Sequence, residues 1–215
     1  LFKSKNIYRV YVQSESMLRD LKIFLPQNCT AEKKIFPFFD NNDFEKKEFT
    51  VSKYDYLYVA SGEPHKNHRN LIAAFIILAK KNLFPSLLLT INPLKFQELT
   101  AFIDEMIAKY QLNIVNKQNI KYESIKNLYR ESHALVYPSL VESLGLPLVE
   151  ASNLSLPIIA SERDYVRDIV DPIESFDPES PTSIAKALLR HMKKNEKRNI
   201  KALFSPNAFI KDILN

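Results

Sequence analysis

A chain of 215 residues with a net charge of +5, 46% hydrophobic and 26% charged, has the composition of a globular protein large enough to bury a substantial core. Its longest apolar run, 71–79, falls far short of the roughly 20 residues that cross a bilayer, and the lone Cys29 excludes an internal disulfide. The basic balance suits nucleic acid, an anionic membrane surface or phosphorylated substrates; no nucleic-acid motif accompanies it, and the densest basic stretch, 192–198, reads as a solvated helix end.

The opening Leu1-Phe2-Lys3, without Met, is expected of a piece of a longer chain. Residues 1–50 read as a lead-in segment and linker. A strand is expected over 7–13, a short helix over 14–21 capped by Ser14, an extended stretch over 34–39 whose Phe36, Phe38 and Phe39 offer either an interface or a small local core, and a polar linker over 40–48. From residue 54 strands alternate with helices, the pattern of a parallel sheet covered on both faces. Strands are expected at 56–60, 87–91, 113–116, 134–137 and 157–160, with a further stretch at 174–177. Helices are expected from 67, with Leu71, Ala74, Phe75 and Leu78 on one face, then over 99–110, around Ile125, Leu128 and Tyr129, from Pro147, over 165–170, and after Ser180, where Pro181 sits in the first turn. The fold class is therefore α/β, a Rossmann-like doubly wound parallel sheet over 51–195, followed by a helical tail over 196–215.

Only Gly62 and Gly145 occur, where average composition supplies roughly 15 glycines. Ordinary turns are expected to use Asn, Asp or Ser instead. Both glycines fall in strand-to-helix turns, the places where a phosphate needs bare backbone.

The stretch 138–150 organises the chain. Ala134-Leu135-Val136-Tyr137 leads into it as a buried strand, and Pro147-Leu148-Val149 leads out as the first turn of a helix. Gly145 lets a ligand approach, and free N–H groups at the helix start form an anion site. Glu142 and Glu150 flank that site; carboxylates repel a phosphate but accept hydrogen bonds from hydroxyls on either side of it. Hydroxyls on both sides of a phosphate describe a nucleotide sugar. Lys66, at a helix start where the dipole disfavours a cation, is the best phosphate partner. Ligands in such sheets bind beyond the carboxyl ends of strands, which adds Thr90, Ile91 and Tyr122 as candidates to face a base, with a purely structural role as the other reading of each. His65 and His68 lack a carboxylate cluster and read as exposed or capping residues, with no metal site.

Glu142-Ser-Leu-Gly-Leu-Pro-Leu-Val-Glu150, framed by Tyr137-Pro138-Ser139 and Leu156-Pro157-Ile158-Ile159-Ala160-Ser161, resembles the Glu-x7-Glu signature of family-4 retaining glycosyltransferases with the GT-B fold. The resemblance implies that Glu142 faces the transferred sugar near its anomeric carbon, that Ser143, Leu144 and Gly145 hold the distal phosphate through their N–H groups, and that Glu150 accepts from the ribose. Lys66-Asn67 matches the end of a Gly-Arg-x4-Lys-Asn phosphate pattern, but Ser61 stands where the family has Arg, with Gly62 displaced by one; Arg69 and Arg163 are the candidates to supply that charge. Gln118 and Ser155 stand where the family often has Gly. The implied protein is a cytoplasmic hexosyltransferase, peripheral at the inner face of the membrane. It would use a nucleoside diphosphate sugar without metal or other cofactor, and a saccharide or lipid-linked acceptor, in bacterial surface polysaccharide synthesis. The chain would be the donor-binding half, partnered by an N-terminal GT-B domain. The alternatives are a nucleotide-sugar epimerase or phosphorylase of the same fold, and a non-catalytic partner subunit, which the Ser61 departure suggests. A glycosidase-like carboxylate pair is the weaker chemistry, since it leaves the phosphate-shaped turn without a purpose.

Overall fold

The computed structural model describes residues 7–26, 29–36, 52–118, 120, 122–193, 210–211 and 213–214. The linker over 40–48, Phe38, Phe39 and nearly all of the tail over 196–215 lie outside the described residues.

The lead-in segment forms a parallel βαβ crossover: strand β1 (Arg9–Val12), helix α1 (Glu15–Phe24) and strand β2 (Glu32–Ile35), with Arg9 opposite Glu32 and Val12 opposite Ile35. Ser14 starts α1 as expected, its backbone extended and its hydroxyl accepting the Met17 N–H at 3.2 Å. The helix runs past 21 to Phe24 and buries none of its residues; Ile23 and Phe24 stay exposed.

The main unit runs β3 (Tyr54–Tyr58), α2 (His68–Ala79), β4 (Leu87–Leu89), α3 (Gln97–Tyr110), β5 (Ile114–Asn116), α4 (Tyr122–Arg130), β6 (Ser132–Tyr137), α5 (Leu146–Asn153), β7 (Ile158–Ser161), α6 (Asp164–Arg167), β8 (Glu174–Phe176) and α7 (Pro181–His191). Its six strands are all parallel, in the order β5-β4-β3-β6-β7-β8. Consecutive strand residues point to opposite faces, yet Leu87, Leu88 and Leu89, and likewise Leu135, Val136, Ile158 and Ile159, are all buried. Both faces are therefore covered. Helix α2 packs on α7 and α3, while α4 and α5 pack on β6. Each fully buried aliphatic side chain contributes about 1.5–3 kcal/mol, so the sheet centre is the stable floor on which the loops rest. Tyr56 extends that core, its ring edge-on to Phe75 and its hydroxyl donating to the Leu188 carbonyl at 3.3 Å.

The scarcity of glycine is met largely as composition suggested. Asn67, Asn82, Gln111 and Ser155 hold positive φ, the last three at helix ends where glycine is the usual choice. Helix α1 docks on α6 through the Ser16 N–H, 2.9 Å from Asp168 Oδ2, and an Arg19–Asp164 ion pair.

From β3 the chain winds to one edge through β4 and β5, then returns to lay β6 on the other side of β3. The connections leaving β3 and β6 therefore part in opposite directions. A crevice opens between them at the carboxyl ends of the strands.

Candidate functional site

The two loops bordering that crevice are residues 59–67, after β3, and 138–145, after β6. Buried hydrogen bonds hold them at a fixed separation. The Leu140 N–H donates to the His65 carbonyl at 2.8 Å, and Tyr58 hydroxyl lies 2.7 Å from the Lys66 carbonyl and 2.9 Å from Ser139 Oγ. Asn67, at φ 62, donates through Nδ2 to the carbonyls of Pro138 at 3.0 Å and Pro178 at 2.7 Å. Tyr165 hydroxyl and Ser161 Oγ both donate to the Ser139 carbonyl at 2.8 Å. Asn67 is thus a tie between three loops, which accounts for an amide beside Lys66 in backbone that glycine would otherwise favour.

A cleft of about 450 Å³ lies between the loops, bordered by Ser61, Lys66, Tyr137, Glu142 and 143–147, with Gln13 reaching in from the end of β1. At its centre Lys66 Nζ donates to both Glu142 oxygens, at 2.7 and 2.8 Å, and Tyr137 hydroxyl donates to Oε1 at 2.8 Å. The Lys66 and Glu142 side chains are only 17% and 10% exposed, so solvent screens their attraction weakly. Gly145 caps α5 at φ 70, a left-handed conformation that an added Cβ would strain, and that Cβ would also press Leu148 Cδ1 at 3.1 Å. The N–H groups of Ser143, Leu144 and Gly145 have no hydrogen-bond partner among the described residues. They border the cleft at the positive end of α5, so the site combines a lysine, free N–H donors and a carboxylate within one hollow.

The other expected residues fall in different places. Ser61 borders the cleft and its hydroxyl donates to the Glu63 carboxylate. Gly62 has a packing reason for lacking a side chain, since a Cβ there would overlap the Phe96 ring, and it does not border the cleft. Thr90 pins strand ends together, with its Oγ1 accepting the Ala60 N–H at 3.2 Å, and does not border the cleft. Glu150 is 5% exposed and accepts a 2.6 Å hydrogen bond from the buried Tyr129 hydroxyl, on the side of α5 facing α4. Burial raises its pKa, with the Tyr129 hydrogen bond pulling the other way. Tyr122 begins α4, and its side chain lies outside the described residues. Arg163 pairs with Glu179 at 2.9 Å and borders a neighbouring hollow that also includes Glu142, and Arg69 lies over the Phe102 ring; neither lines the cleft itself.

His68 departs from expectation. It is 3% exposed rather than on the surface, stacked on Tyr58, and neither ring nitrogen has a hydrogen-bond partner among the described residues. Burial, aided by the Lys66 charge, pushes its pKa down to about 3. It borders a separate cavity of about 690 Å³ between the starts of α2 and α3, together with Arg69, Lys95 and Phe96. No group of three His, Cys, Asp or Glu among the described residues is placed to hold a metal ion, and no helix among them is long and apolar enough to cross a membrane. Sequence reasoning missed Gln13 and Tyr137 as neighbours of the site. Tyr137 carried a signal, being the last strand residue before the turn; Gln13 carried none, since its approach depends on how α1 docks.

Solved structures share this architecture. Sucrose-phosphate synthase from Thermosynechococcus elongatus superposes with a TM-score of 0.71 at 19% identity, over 86% of this chain and 49% of that one. Anabaena Alr3699/HepE, described in complex with UDP and glucose, superposes with a TM-score of 0.70 at 16% identity, over 87% and 54%. The fold is thus that of a GT-B glycosyltransferase domain. The family model "Glycosyl transferases group 1" matches residues 39–202, and the chain belongs to that family. Among curated proteins it is 31% identical over 140 residues to the serotype-specific mannosyltransferase WbdA of Escherichia coli, covering 62% of this chain and 16% of that protein. It is 26% identical over 151 residues to the O-antigen chain mannosyltransferase B of Escherichia coli, covering 67% and 38%. The chain therefore spans well under half the length of either relative.

Proposed function

We propose that the chain is the donor-binding half of a retaining hexosyltransferase that moves a sugar from a nucleoside diphosphate sugar to a saccharide or lipid-linked acceptor in bacterial surface polysaccharide synthesis. One observation carries the reading: Lys66 and Glu142 meet in a cleft whose rim offers three N–H groups that have no partner among the described residues. The diphosphate takes Lys66 and the N–H groups of Ser143 to Gly145, and the sugar lies against Glu142. As the bond from the anomeric carbon to the diphosphate oxygen breaks, fixed donors stabilise the charge on the leaving group, each worth around 3 kcal/mol in comparable sites. Glu142 steadies the positive charge on the sugar, and the acceptor hydroxyl oxygen bonds to the same face while its proton passes to the departing diphosphate oxygen. Lys66 and the N–H dipoles supply the positive potential, so the reading needs no metal ion. Ser61 contributes a hydroxyl where a second cation is usual for the family, which points to modest donor affinity. Glu150 reaches the ribose by exchanging its Tyr129 hydrogen bond for a hydroxyl.

The mannosyltransferase relatives support a hexose donor and the UDP complex of the Anabaena neighbour supports a nucleotide one. An N-terminal GT-B domain supplies the acceptor side. The net charge of +5 suits work in the cytoplasm against the anionic inner face of the membrane. A screen of nucleoside diphosphate sugars for thermal stabilisation tests the reading. Donor at a hundredfold its Kd stabilises by about 2.7 kcal/mol, equivalent to roughly 5–10 °C in Tm for a chain of this size. Stabilisation that Lys66→Met abolishes is expected; no response to any donor contradicts the reading.

A further inference from the structure

Glu142 receives three hydrogen bonds in the cleft: two from Lys66 Nζ, at 2.7 and 2.8 Å, and one from Tyr137 hydroxyl at 2.8 Å. An arriving diphosphate carries more negative charge than one carboxylate and competes for the same ammonium. Once Lys66 transfers to it, Glu142 has lost both cation bonds and sits near a new anion that repels it. Some other group has to keep the carboxylate against the sugar.

We infer that Tyr137 is a positioning residue for Glu142, its hydroxyl holding the carboxylate in the sugar subsite after Lys66 moves to the diphosphate, an inference that rests on the donor-cleft reading above. Tyr137 ends β6 and is 1% exposed. Its ring meets those of Tyr58 and Tyr165 edge-on, at 5.7 and 6.4 Å between centroids, and its carbonyl accepts from Ser161 Oγ at 3.2 Å. The ring cannot swing without disturbing that cluster. The three tyrosines divide the work under the turn: Tyr58 hydroxyl meets the Lys66 carbonyl, Tyr165 hydroxyl meets the Ser139 carbonyl, and Tyr137 hydroxyl meets the Glu142 carboxylate. Burial holds the Tyr137 phenol well above the ordinary tyrosine range, with the Glu142 charge adding to the effect, so it stays a proton donor at any working pH. Phenylalanine would fill the same space without the donor.

Calorimetric titration of the 215-residue chain with uridine, guanosine, adenosine and thymidine diphosphates, and with their glucose and mannose conjugates, separates phosphate binding from sugar binding. Tyr137→Phe is expected to leave the affinity for the bare diphosphate within about twofold and to weaken the sugar conjugate about tenfold, the size of a lost hydrogen bond to a charged group. In a Glu142→Ala background the same change should have less than about a twofold effect on either ligand, because the acceptor it served is gone. 3-Fluorotyrosine placed at position 137 keeps the ring and strengthens the donor, and should tighten only the sugar conjugate. Equal weakening of diphosphate and conjugate by Tyr137→Phe, or no sugar-specific change in either variant, overturns the inference and leaves the donor reading standing. Binding of none of these ligands by the unsubstituted chain overturns that reading, and the inference with it.

Discussion

Lys66→Met, Glu142→Gln and the double variant measure what the paired charges cost the fold. Both side chains are mostly out of solvent, and each compensates the other's desolvation. Lys66→Met keeps the apolar stem but leaves Glu142 with the Tyr137 hydrogen bond alone, which should cost about 3 kcal/mol, a large share of a typical 5–15 kcal/mol stability. Glu142→Gln keeps an acceptor for Tyr137 but withdraws the counter-charge from Lys66, costing about 2 kcal/mol. The double variant removes both charges and should lie within about 1 kcal/mol of the unsubstituted chain, so the coupling is about 4 kcal/mol. Urea unfolding at pH 7 reads it: the Lys66→Met midpoint should fall by about 1 M, and the second substitution should restore most of that. Simple addition of the two losses in the double variant would show that the charges do not compensate each other, and the reasoning would fail. The restored double variant should bind no nucleotide sugar, as expected where a site holds charges for its ligand rather than for the fold.

His68 predicts a specific acid sensitivity. Its native pKa is depressed to about 3 while the unfolded value is near 6.5, so its stability contribution is complete above pH 6.5 and declines as pH falls towards 3. By pH 5 the loss is about 2 kcal/mol, and His68→Leu should remove it; urea titrations of both proteins at pH 7 and pH 5 that show the same difference would contradict this. Glu150 predicts the opposite slope, since burial raises its pKa and the native state therefore favours the protonated form. Glu150→Gln should be stabilising at neutral pH, with the advantage shrinking as pH falls towards the ordinary carboxylate range, measured as a Tm difference across pH 4 to 8; an advantage that grows in acid would refute the assignment.

The alternation of strands and helices was readable because the central strands are buried on both faces and so appear as unbroken apolar runs, as Leu87 to Leu89 and Ala134 to Tyr137 do. The glutamate turn was readable for a local reason: Gly145 and Pro147 specify its backbone within a few positions. Tertiary facts were not. Nothing in the chain near Gly62 announces that Phe96 lies against it, so the packing reason for that glycine was not legible. His68 looked exposed because its burial comes from Tyr58 and the start of α3, elements distant or unmarked in the sequence. Spacing alone set Glu142 and Glu150 on either side of one turn, but Tyr129 on α4 decides where the second carboxylate points.

A crystal structure of this chain with a nucleoside diphosphate sugar tests the central claim most directly. The account predicts phosphate oxygens within hydrogen-bond distance of Lys66 Nζ and the N–H groups of Ser143, Leu144 and Gly145, with Lys66 withdrawn from Glu142 and the sugar against the carboxylate. A ligand lodged elsewhere, for example in the cavity between the starts of α2 and α3, with the Lys66–Glu142 pair intact, would contradict it.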